Sequence, residues 1–442
     1  MIYRARKKSV GFPLGLQSHL VASRIQGEED EMIEYSKFRK EQWYVSPWDF
    51  YPEVTKPFRI NPKVTIHDVT LREGEQQTGV VFTRDDKVAI AKKLAELGVD
   101  RIEAGMPAVS QGDADAVKAI VDLNLGPEIF AFCRCMSSDI EMAKKAGCKG
   151  AVLEIASNPL FVERAYGKTM DWVKKAAIEA TIAAKELGLY VSFFTIDGTR
   201  TEINNLLDTV DEIRQGGKMD AFVMADTFGC VHPQSVFEMV TKVKKRFPTT
   251  PIEAHMHMHF GLGAANTLAA IAAGADVAHV AVSGIGEGAG NTPLEDVVLS
   301  LKCLYGVETR VKTEKFVETS KFICKLANDH PLPPNRPIVG RDVFIVESGI
   351  GVMFFENAAK AGDPFIAASI QPELVGQPSW RFALGKKSGI YSIERFLREI
   401  GRTLDKEKQE KVLAMVKELA IREKRLVTVD EFRKFVDSVS GK

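Results

Sequence analysis

Residues 150–196 read GAVLEIASNPLFVERAYGKTMDWVKKAAIEATIAAKELGLYVSFFTI, and two apolar runs in this stretch flank a helical pattern. GAVLEIA (150–156) and YVSFFTI (190–196) are short and apolar, which is typical of buried strands. Between them, MDWVKKAAIEATIAAKELG (170–188) has a helical pattern and ends at a glycine, as left-handed helix C-caps do. The order strand, helix, strand predicts two parallel strands joined by a right-handed crossover.

The same alternation recurs from residue 63 to residue 283. Helical segments such as DDKVAIAKKLAELG (85–98) separate eight short runs, and Gly98 and Gly274 end two of these segments. The runs are KVTIHDVT (63–70), RIEAGMP (101–107), EIFAFC (128–133), GAVLEIA (150–156), YVSFFTI (190–196), AFVMADT (221–227), IEAHMHMH (252–259) and VAHVAVS (277–283). Eight such units in about 230 residues predict a closed (β/α)8 TIM barrel. The alternative is a doubly wound open sheet, and no GxGxxG motif follows the first run to support its dinucleotide-binding form.

The composition is that of an ordinary globular protein. Of the 442 residues, 45% are hydrophobic and 27% are charged, which excludes global disorder. The 59 basic and 59 acidic side chains cancel, which argues against nucleic acid or a membrane as a partner. The sequence has no apolar run of membrane-spanning length and no secretory signal pattern, so we expect a cytoplasmic protein. Its six cysteines are sparse and scattered, as expected of reduced thiols.

Two regions lie outside the barrel pattern. Residues 1–60 hold an acidic cluster at 27–32 and an aromatic stretch at 43–51 but lack strong periodicity. They predict an N-terminal arm, interpreted either as a surface extension or as an oligomer contact. The catalytic barrel is placed at 61–335, and a small α-rich C-terminal module at 336–442. Amphipathic stretches in this module lie at 390–401, 406–424 and 429–439.

Polar residues gather where the predicted strands end, and this is the end of a TIM barrel that carries the active site. The strand interiors stay apolar, so the pattern predicts one polar site at the barrel mouth. Its candidate residues are Asp68, Arg72, Glu73, Glu75, Gln76, Glu103, Arg134, Asp226, Thr227, His255, His257, His259, Glu287 and Asn291.

The histidines of the seventh run are the sharpest signal. Side chains alternate across a strand, so His255 and His257 share one face, about 7 Å apart. With Glu73 from the first strand they predict a facial set of ligands for a divalent metal, with positions left open for a substrate carbonyl. The alternative is a pair of buried structural histidines, and His259 lies nearer the rim. The remaining histidines stand alone in the sequence and are interpreted as structural: His19, His67, His232, His279 and His330.

Two further features accompany these histidines. Arg72 directly precedes Glu73, and its permanent charge can stabilise a carbonyl or enolate oxygen, although a surface ion pair is the alternative. The segment GIGEGAGN (284–291) has a glycine at every second position, which allows its backbone to approach a ligand closely.

These motifs resemble those of a known enzyme family, the metal-dependent 2-isopropylmalate, homocitrate and citramalate synthases. The wider group includes hydroxymethylglutaryl-CoA lyase and the 4-hydroxy-2-oxovalerate aldolases. The resemblance covers about residues 60–440 and implies a (β/α)8 barrel followed by small linker subdomains. The motifs that carry it are LREGEQ (71–76), EAGMPAVSQGD (103–113), DTFG (226–229), the HxH of 255–257, GIGEGAGNTPLE (284–295), NRPIVG (335–340), VESGI (346–350), PELVG (372–376) and LGKKSG (384–389).

The resemblance implies roles for individual residues. Arg72 would polarise the substrate carbonyl, and Glu103 would hold Arg72 in place. Gln76 and Thr227 would line the 2-oxo acid site, and Arg134 joins them from its position after the third strand. The implied metal-site residues are Glu73, His255, His257 and Asn291, and a glutamate at the first of these positions is typical of homocitrate synthases.

The histidine that usually serves proton transfer in these synthases is missing. Their SGIH motif is SGIG here, with Gly351, and their GKHSG motif is GKKSG, with Lys387. GERAGN has become GEGAGN with Gly288, which leans toward the aldolase pattern. Three groups are candidates for the catalytic base: His259, which we favour, Lys387 if desolvation lowers its pKa, and a metal-bound hydroxide.

The predicted activity is a metal-dependent Claisen-type condensation of a 2-oxo acid with acetyl-CoA or a related acyl-CoA. The enzyme would be an acyltransferase that converts the acyl group into an alkyl group on transfer, with Mg, Mn, Zn or Co as its ion. We expect a homodimer in which residues 336–440 of one chain pack near the barrel mouth of the other. Two rival interpretations are a metal-dependent lyase or aldolase that acts on a hydroxy-oxo acid or hydroxyacyl-CoA, and a non-catalytic relative that binds a metal and a ligand.

Overall fold

The computed structural model describes residues 34–441. The acidic cluster at 27–32, His19 and the first half of the predicted arm therefore lie outside the described residues. The rest of the arm contains two single-turn helices, α1 (Tyr35–Phe38) and α2 (Pro52–Thr55).

The aromatic stretch of the arm packs on its own chain. Trp43 is buried and pairs with Ile370 in an antiparallel bridge. The amide of Tyr44 donates to the carbonyl oxygen of Ser369 at 2.7 Å, which extends the same contact. The arm is thus held by residues of the C-terminal module.

Eight parallel strands close into a barrel in chain order, and the first strand pairs with the eighth. The predicted (β/α)8 TIM barrel is confirmed, and the open sheet is excluded. The strands are β1 (Thr65–Asp68), β2 (Arg101–Glu103), β3 (Glu128–Arg134), β4 (Gly150–Ala156), β5 (Tyr190–Ile196), β6 (Ala221–Asp226), β7 (Ile252–Met256) and β8 (Val277–Val280). β7 stops before the predicted end of its run because His257 leaves the ladder and pairs with Asn291 in an isolated bridge.

Helices cover the outside of the barrel. They are α3 (Arg84–Leu97), α4 (Gln111–Asp122), α5 (Ser137–Ala146), α6 (Pro159–Phe161), α7 (Met170–Glu186), α8 (Ile203–Gly216), α9 (Pro233–Arg246), α10 (Gly263–Ala272), α11 (Leu294–Leu304) and α12 (Phe316–Leu326). Gly98, Gly188 and Gly274 have φ of 100°, 77° and 108°, so the predicted left-handed stops are present where these helices end.

The C-terminal part holds a small sheet and four helices. They are β9 (Ile345–Val346), β10 (Arg381–Phe382), α13 (Gly349–Ala361), α14 (Ile390–Glu399), α15 (Lys406–Glu423) and α16 (Val429–Ser440). The last three helices bury a separate hydrophobic cluster around Phe396, Val416 and Phe432. The boundaries proposed at 61–335 and 336–442 stay predictions. Across residues 34–441, every helix is too short or too polar to cross a bilayer.

Candidate active site

A cavity of about 580 Å³ opens at the carboxyl ends of the strands. Its volume is in the range of small-molecule sites, about 300–1,000 Å³. One wall is apolar and includes Met106, Phe132, Phe194 and Ile196. The polar lining comes from Arg72, Glu73, Glu75, Gln76, Asp113, Glu154, Thr227, His255, His257 and Glu287.

Glu73, His255 and His257 converge at the base of this cavity, as predicted from their spacing. Their ligand atoms all lie within 4.8 Å of one another, and all three side chains are buried. His255 Nε2 lies 3.8 Å from Glu73 Oε2, and His257 Nε2 lies 3.8 Å from Glu73 Oε1. One carboxylate therefore faces both imidazoles.

This arrangement fits a divalent metal. Donors that each lie about 2.0–2.2 Å from one ion are about 3–4.4 Å from each other, and both measured separations fall in that interval. Burial lowers the pKa of His257. Burial also lowers the pKa of His255 well below its usual value, and a charge on His257 would lower it further. Both imidazoles are thus held in the neutral form that binds metals.

A chain of hydrogen bonds fixes which nitrogen of His255 faces the cavity. Although burial opposes it, the hydrogen bond from His279 lowers the pKa of Glu253 to about 2, so this carboxylate is ionised. It accepts from His279 Nε2 at 2.8 Å, which leaves His279 Nδ1 to accept the proton of His255 Nδ1 at 3.2 Å. His255 Nε2 is therefore the unprotonated nitrogen, and the Asn291 amide that bonds it at 3.0 Å has to turn away before it can bind a metal.

The prediction that His67 and His279 stand alone is wrong, whereas their interpretation as structural residues stays a prediction. Their rings stack with centroids 4.3 Å apart, and together with Glu103 they form a second buried cluster inside the barrel. The sequence pattern missed this because β1 and β8 are neighbours only after the barrel closes, with His67 directly opposite His279.

Arg72 is held by a set of acceptors rather than by a surface ion pair. Its Nε donates to Glu103 Oε1, and its Nη1 donates to Glu73 Oε2 and, at 2.6 Å, to Gln76 Oε1. The guanidinium carbon lies 3.9 Å from the centroid of the Phe132 ring. Nη2 is buried and has no hydrogen-bond partner within residues 34–441. A buried donor left free at the edge of a cavity is suited to a substrate oxygen.

The other predicted residues lie at different distances from the cavity. Thr227 lines it and accepts from the amide of Asp197 at 2.9 Å. Asn291 directs its side-chain nitrogen to His255 Nε2 at 3.0 Å. The guanidinium of Arg134 is half exposed and bonded twice to Asp139, so it faces a helix rather than the cavity.

His259 lies on an exposed turn beyond β7, with its ring centroid 6.2 Å from that of His257. Its Nε2 packs over Gly288, where a Cβ atom would approach to 2.6 Å, and the φ of +63° at this glycine also disfavours other residues. A side chain at position 288 would therefore require the His259 ring to move.

Sequence reasoning missed two carboxylates, Glu154 and Glu253. Glu154 is the only charged residue of GAVLEIA, an otherwise apolar strand. Glu253 is the only acidic residue of IEAHM, a strand whose other polar residue is His255. A charge inside a buried strand requires a partner or a function, and this signal could have identified both.

The fold and the site define a class: a TIM barrel with a candidate metal centre and a buried arginine at the carboxyl ends of its strands. The chain belongs to the HMGL-like family, which matches residues 63–323. The resemblance to this group of enzymes, found from the sequence motifs, is thereby confirmed.

Full-length relatives extend this result beyond the barrel. A probable 2-isopropylmalate synthase of Ignicoccus hospitalis is 41% identical over 85% of this chain and 92% of its own length. A 2-isopropylmalate synthase of Methanocaldococcus jannaschii is 38% identical over 87% of this chain and 73% of its own. A putative (R)-citramalate synthase of Archaeoglobus fulgidus is 37% identical over 83% and 74%. The predicted enzyme class, acyltransferase, is confirmed.

Among solved structures, hydroxymethylglutaryl-CoA lyase from Pseudomonas aeruginosa is similar in fold. It superposes with a TM-score of 0.55 at 21% identity over 60% of this chain and 94% of that chain. This likeness supports the barrel fold alone.

Proposed function

We propose that this protein condenses a 2-oxo acid with acetyl-CoA or a related acyl-CoA in a metal-dependent Claisen-type reaction. The observation that carries the proposal is the convergence of Glu73, His255 and His257 beside the free Nη2 of Arg72. The names of the relatives, 2-isopropylmalate and citramalate synthases, support this pairing of substrates.

Glu73, His255 and His257 would hold the divalent metal, with Asn291 beside it. When bound, such an ion polarises a carbonyl oxygen as a Lewis acid. Arg72 Nη2 then donates to the oxygen that gains charge when the ketone carbon is attacked. Glu103 positions Arg72: although burial opposes it, the adjacent guanidinium lowers the pKa of this carboxyl to about 2, so it stays ionised beside the arginine.

The remaining predicted residues take supporting roles in this proposal. Gln76 holds Arg72 from the cavity side, and Thr227 faces the bound acid. Arg134 would contribute only if its side chain leaves Asp139. His259 stays a candidate proton carrier at the rim of the cavity.

The test is a panel of 2-oxo acids, each incubated with acetyl-CoA and the metal-loaded protein, with free thiol as the readout. Thiol release that depends on one 2-oxo acid supports the proposal. Pyruvate release from hydroxy-oxo acids without thiol would establish an aldolase instead. No product in either assay would leave a non-catalytic binder.

We also propose a homodimer in which residues 336–440 of one chain lie near the barrel mouth of the other. Ile350 and Phe354, one turn apart on α13, are exposed by 65% and 48%. An apolar helix face of this kind is typical of an interface between subunits. Sedimentation at micromolar concentration should give a dimer, and Ile350→Asp should shift it toward monomer; a monomeric wild type would refute the assembly.

A further inference from the structure

Glu154 lies on the inner face of β4, at the end where the cavity opens. Its neighbours in the sheet are Arg134 on β3 and Phe194 on β5. Val152, two residues earlier, belongs to the hydrophobic cluster inside the barrel. Because strand side chains alternate, Glu154 points to the same interior, and it lines the cavity opposite Arg72.

The carboxyl of Glu154 is free, unlike those of the acidic neighbours that line the cavity. Glu73 accepts from Arg72, Glu75 accepts from the amide of Phe82 at 2.8 Å, and Asp113 accepts from Lys87. Glu287 is exposed on its loop. No donor within residues 34–441 bonds the carboxylate oxygens of Glu154, although its side chain is only partly exposed. A partly buried carboxyl with no partner is available for chemistry in the cavity.

The charges around Glu154 are arranged for proton transfer near neutral pH. Burial raises the pKa of Glu154 to about 7; the charge of Arg72 opposes this rise, and those of Glu103 and Glu73 add to it. The other titratable groups that face it are Arg134, Cys135 and Tyr166. A general base is most efficient when its pKa lies near the working pH.

We propose that Glu154 is the catalytic base that removes a proton from the acyl-CoA methyl group, an inference that rests on the proposed condensation. The methyl C–H bond breaks, its proton passes to a carboxylate oxygen of Glu154, and its electron pair forms the C=C bond of the thioester enolate. The C=C electron pair of the enolate then forms the bond to the ketone carbon of the 2-oxo acid, and the thioester carbonyl re-forms. The π electrons of the ketone move to the oxygen beside Arg72, which takes a proton from solvent, and Glu154 releases its proton to solvent. Water afterwards cleaves the thioester and releases CoA as the thiol.

The two side chains that the sequence offers as bases, His259 and Lys387, fit this step less well. His259 lies on an exposed turn and is not part of the cavity lining. Within one chain Lys387 is 70% exposed and pairs with Glu347 at 3.1 Å, so its own chain does not supply the desolvation that it would require. A base that lies inside the cavity of its own chain needs no histidine at position 351.

Glu154→Gln tests the proposal because it removes the proton acceptor but keeps the size of the side chain. We expect thiol release to fall by at least about 10²-fold, with the metal content and the KM for the 2-oxo acid unchanged. In wild type the rate should rise with pH through about 7, and the variant should lose this limb. Trideuterated acetyl-CoA should show a larger isotope effect in the variant, which a merely structural defect would not produce.

Glu154→Asp provides the conservative comparison and should retain part of the rate, and Glu186→Gln, on the exposed end of α7, is the matched control. Turnover of Glu154→Gln within threefold of wild type would overturn the proposal, as would a loss confined to His259→Ala. If wild type releases no thiol from any substrate pair, the proposed function itself fails. If wild type releases thiol and Glu154→Gln releases it equally fast, only the role of Glu154 is refuted and the proposed function stands.

Discussion

Two clusters of the same composition lie one above the other in the barrel. The upper cluster is Glu73, His255 and His257, and the lower cluster is Glu103, His67 and His279. The upper one lines a cavity of about 580 Å³, whereas the lower one is sealed, with all three side chains 0% exposed. Two histidines and a glutamate within ligand distance therefore do not by themselves define a metal site; access for the ion and its substrate distinguishes the two.

Arg72 bonds the carboxylates of both clusters, so the difference between the clusters lies in their histidines. Glu103 is occupied by Arg72, and His279 is occupied by Glu253 and by His255. In the upper cluster the imidazoles face a carboxylate at 3.8 Å without bonding it, and the side-chain nitrogen of Asn291 bonds His255 Nε2 at 3.0 Å. The lower cluster supports the upper one through the contact between His255 and His279.

The largest expected effect comes from a substitution of Glu73, which belongs to the upper cluster only. Glu73→Gln should remove the bound metal and lower turnover by more than about 10³-fold, because a Lewis acid contributes several kcal/mol of stabilisation. The fold should persist, as judged by circular dichroism. Metal analysis and thiol release on the same sample measure both effects, with Glu238→Gln, on the exposed face of α9, as the control. Full activity in Glu73→Gln would rule out the upper cluster as the metal centre.

A smaller effect is expected from Glu253, below both clusters. Glu253→Gln no longer fixes the tautomer of His279, so it should weaken metal affinity by about 10–100-fold. Ser192→Ala is the matched comparison, because it removes only the 3.0 Å hydrogen bond from Ser192 Oγ to the same carboxylate. Competition with a coloured chelator gives both affinities. Equal affinities would mean that the hydrogen-bond chain does not act on the metal.

The lower cluster should also make stability depend on pH. The pKa values of Glu103 and Glu253 are about 2 in the folded protein, below the unfolded value of about 4.3. Folding therefore favours the ionised forms, and their contribution is present above about pH 4.3 and is lost as the pH falls toward 2. Urea midpoints measured at pH 7, 4 and 3 should fall across both intervals. Burial lowers the pKa of His67 to about 4, which accounts for the loss between pH 7 and 4, and the two carboxyls account for the loss below pH 4. The slope should be shallower in Glu253→Gln, and an identical slope would contradict this assignment.

The smallest effect concerns the number of ions. We expect one tightly bound divalent ion per chain, because all three side chains of the lower cluster are fully buried, which leaves an ion no access to them. Elemental analysis after gel filtration measures this ratio. Two ions per chain, with the second lost in His67→Ala, would show that the sealed cluster also takes a metal.

The sequence was sufficient for the barrel and for the upper cluster. Strand alternation and the HxH spacing are local patterns, and the position of Glu73 after β1 follows from the rule that such residues meet at one end of the barrel. His67 and His279 are 212 residues apart, and only barrel closure makes them neighbours. The orientation of Arg134 was also beyond the pattern, because its partner Asp139 lies on the following helix.

The bridge between Trp43 and Ile370 has a consequence for how the chain is synthesised. Trp43 leaves the ribosome 327 residues before its partner, an interval of roughly 15–65 s at about 5–20 residues per second. All eight strands emerge within that interval, so the barrel can close while the arm is still unpaired. Docking of the arm thus follows synthesis of the barrel, and until it occurs the Trp43 side chain stays open to chaperones and proteases.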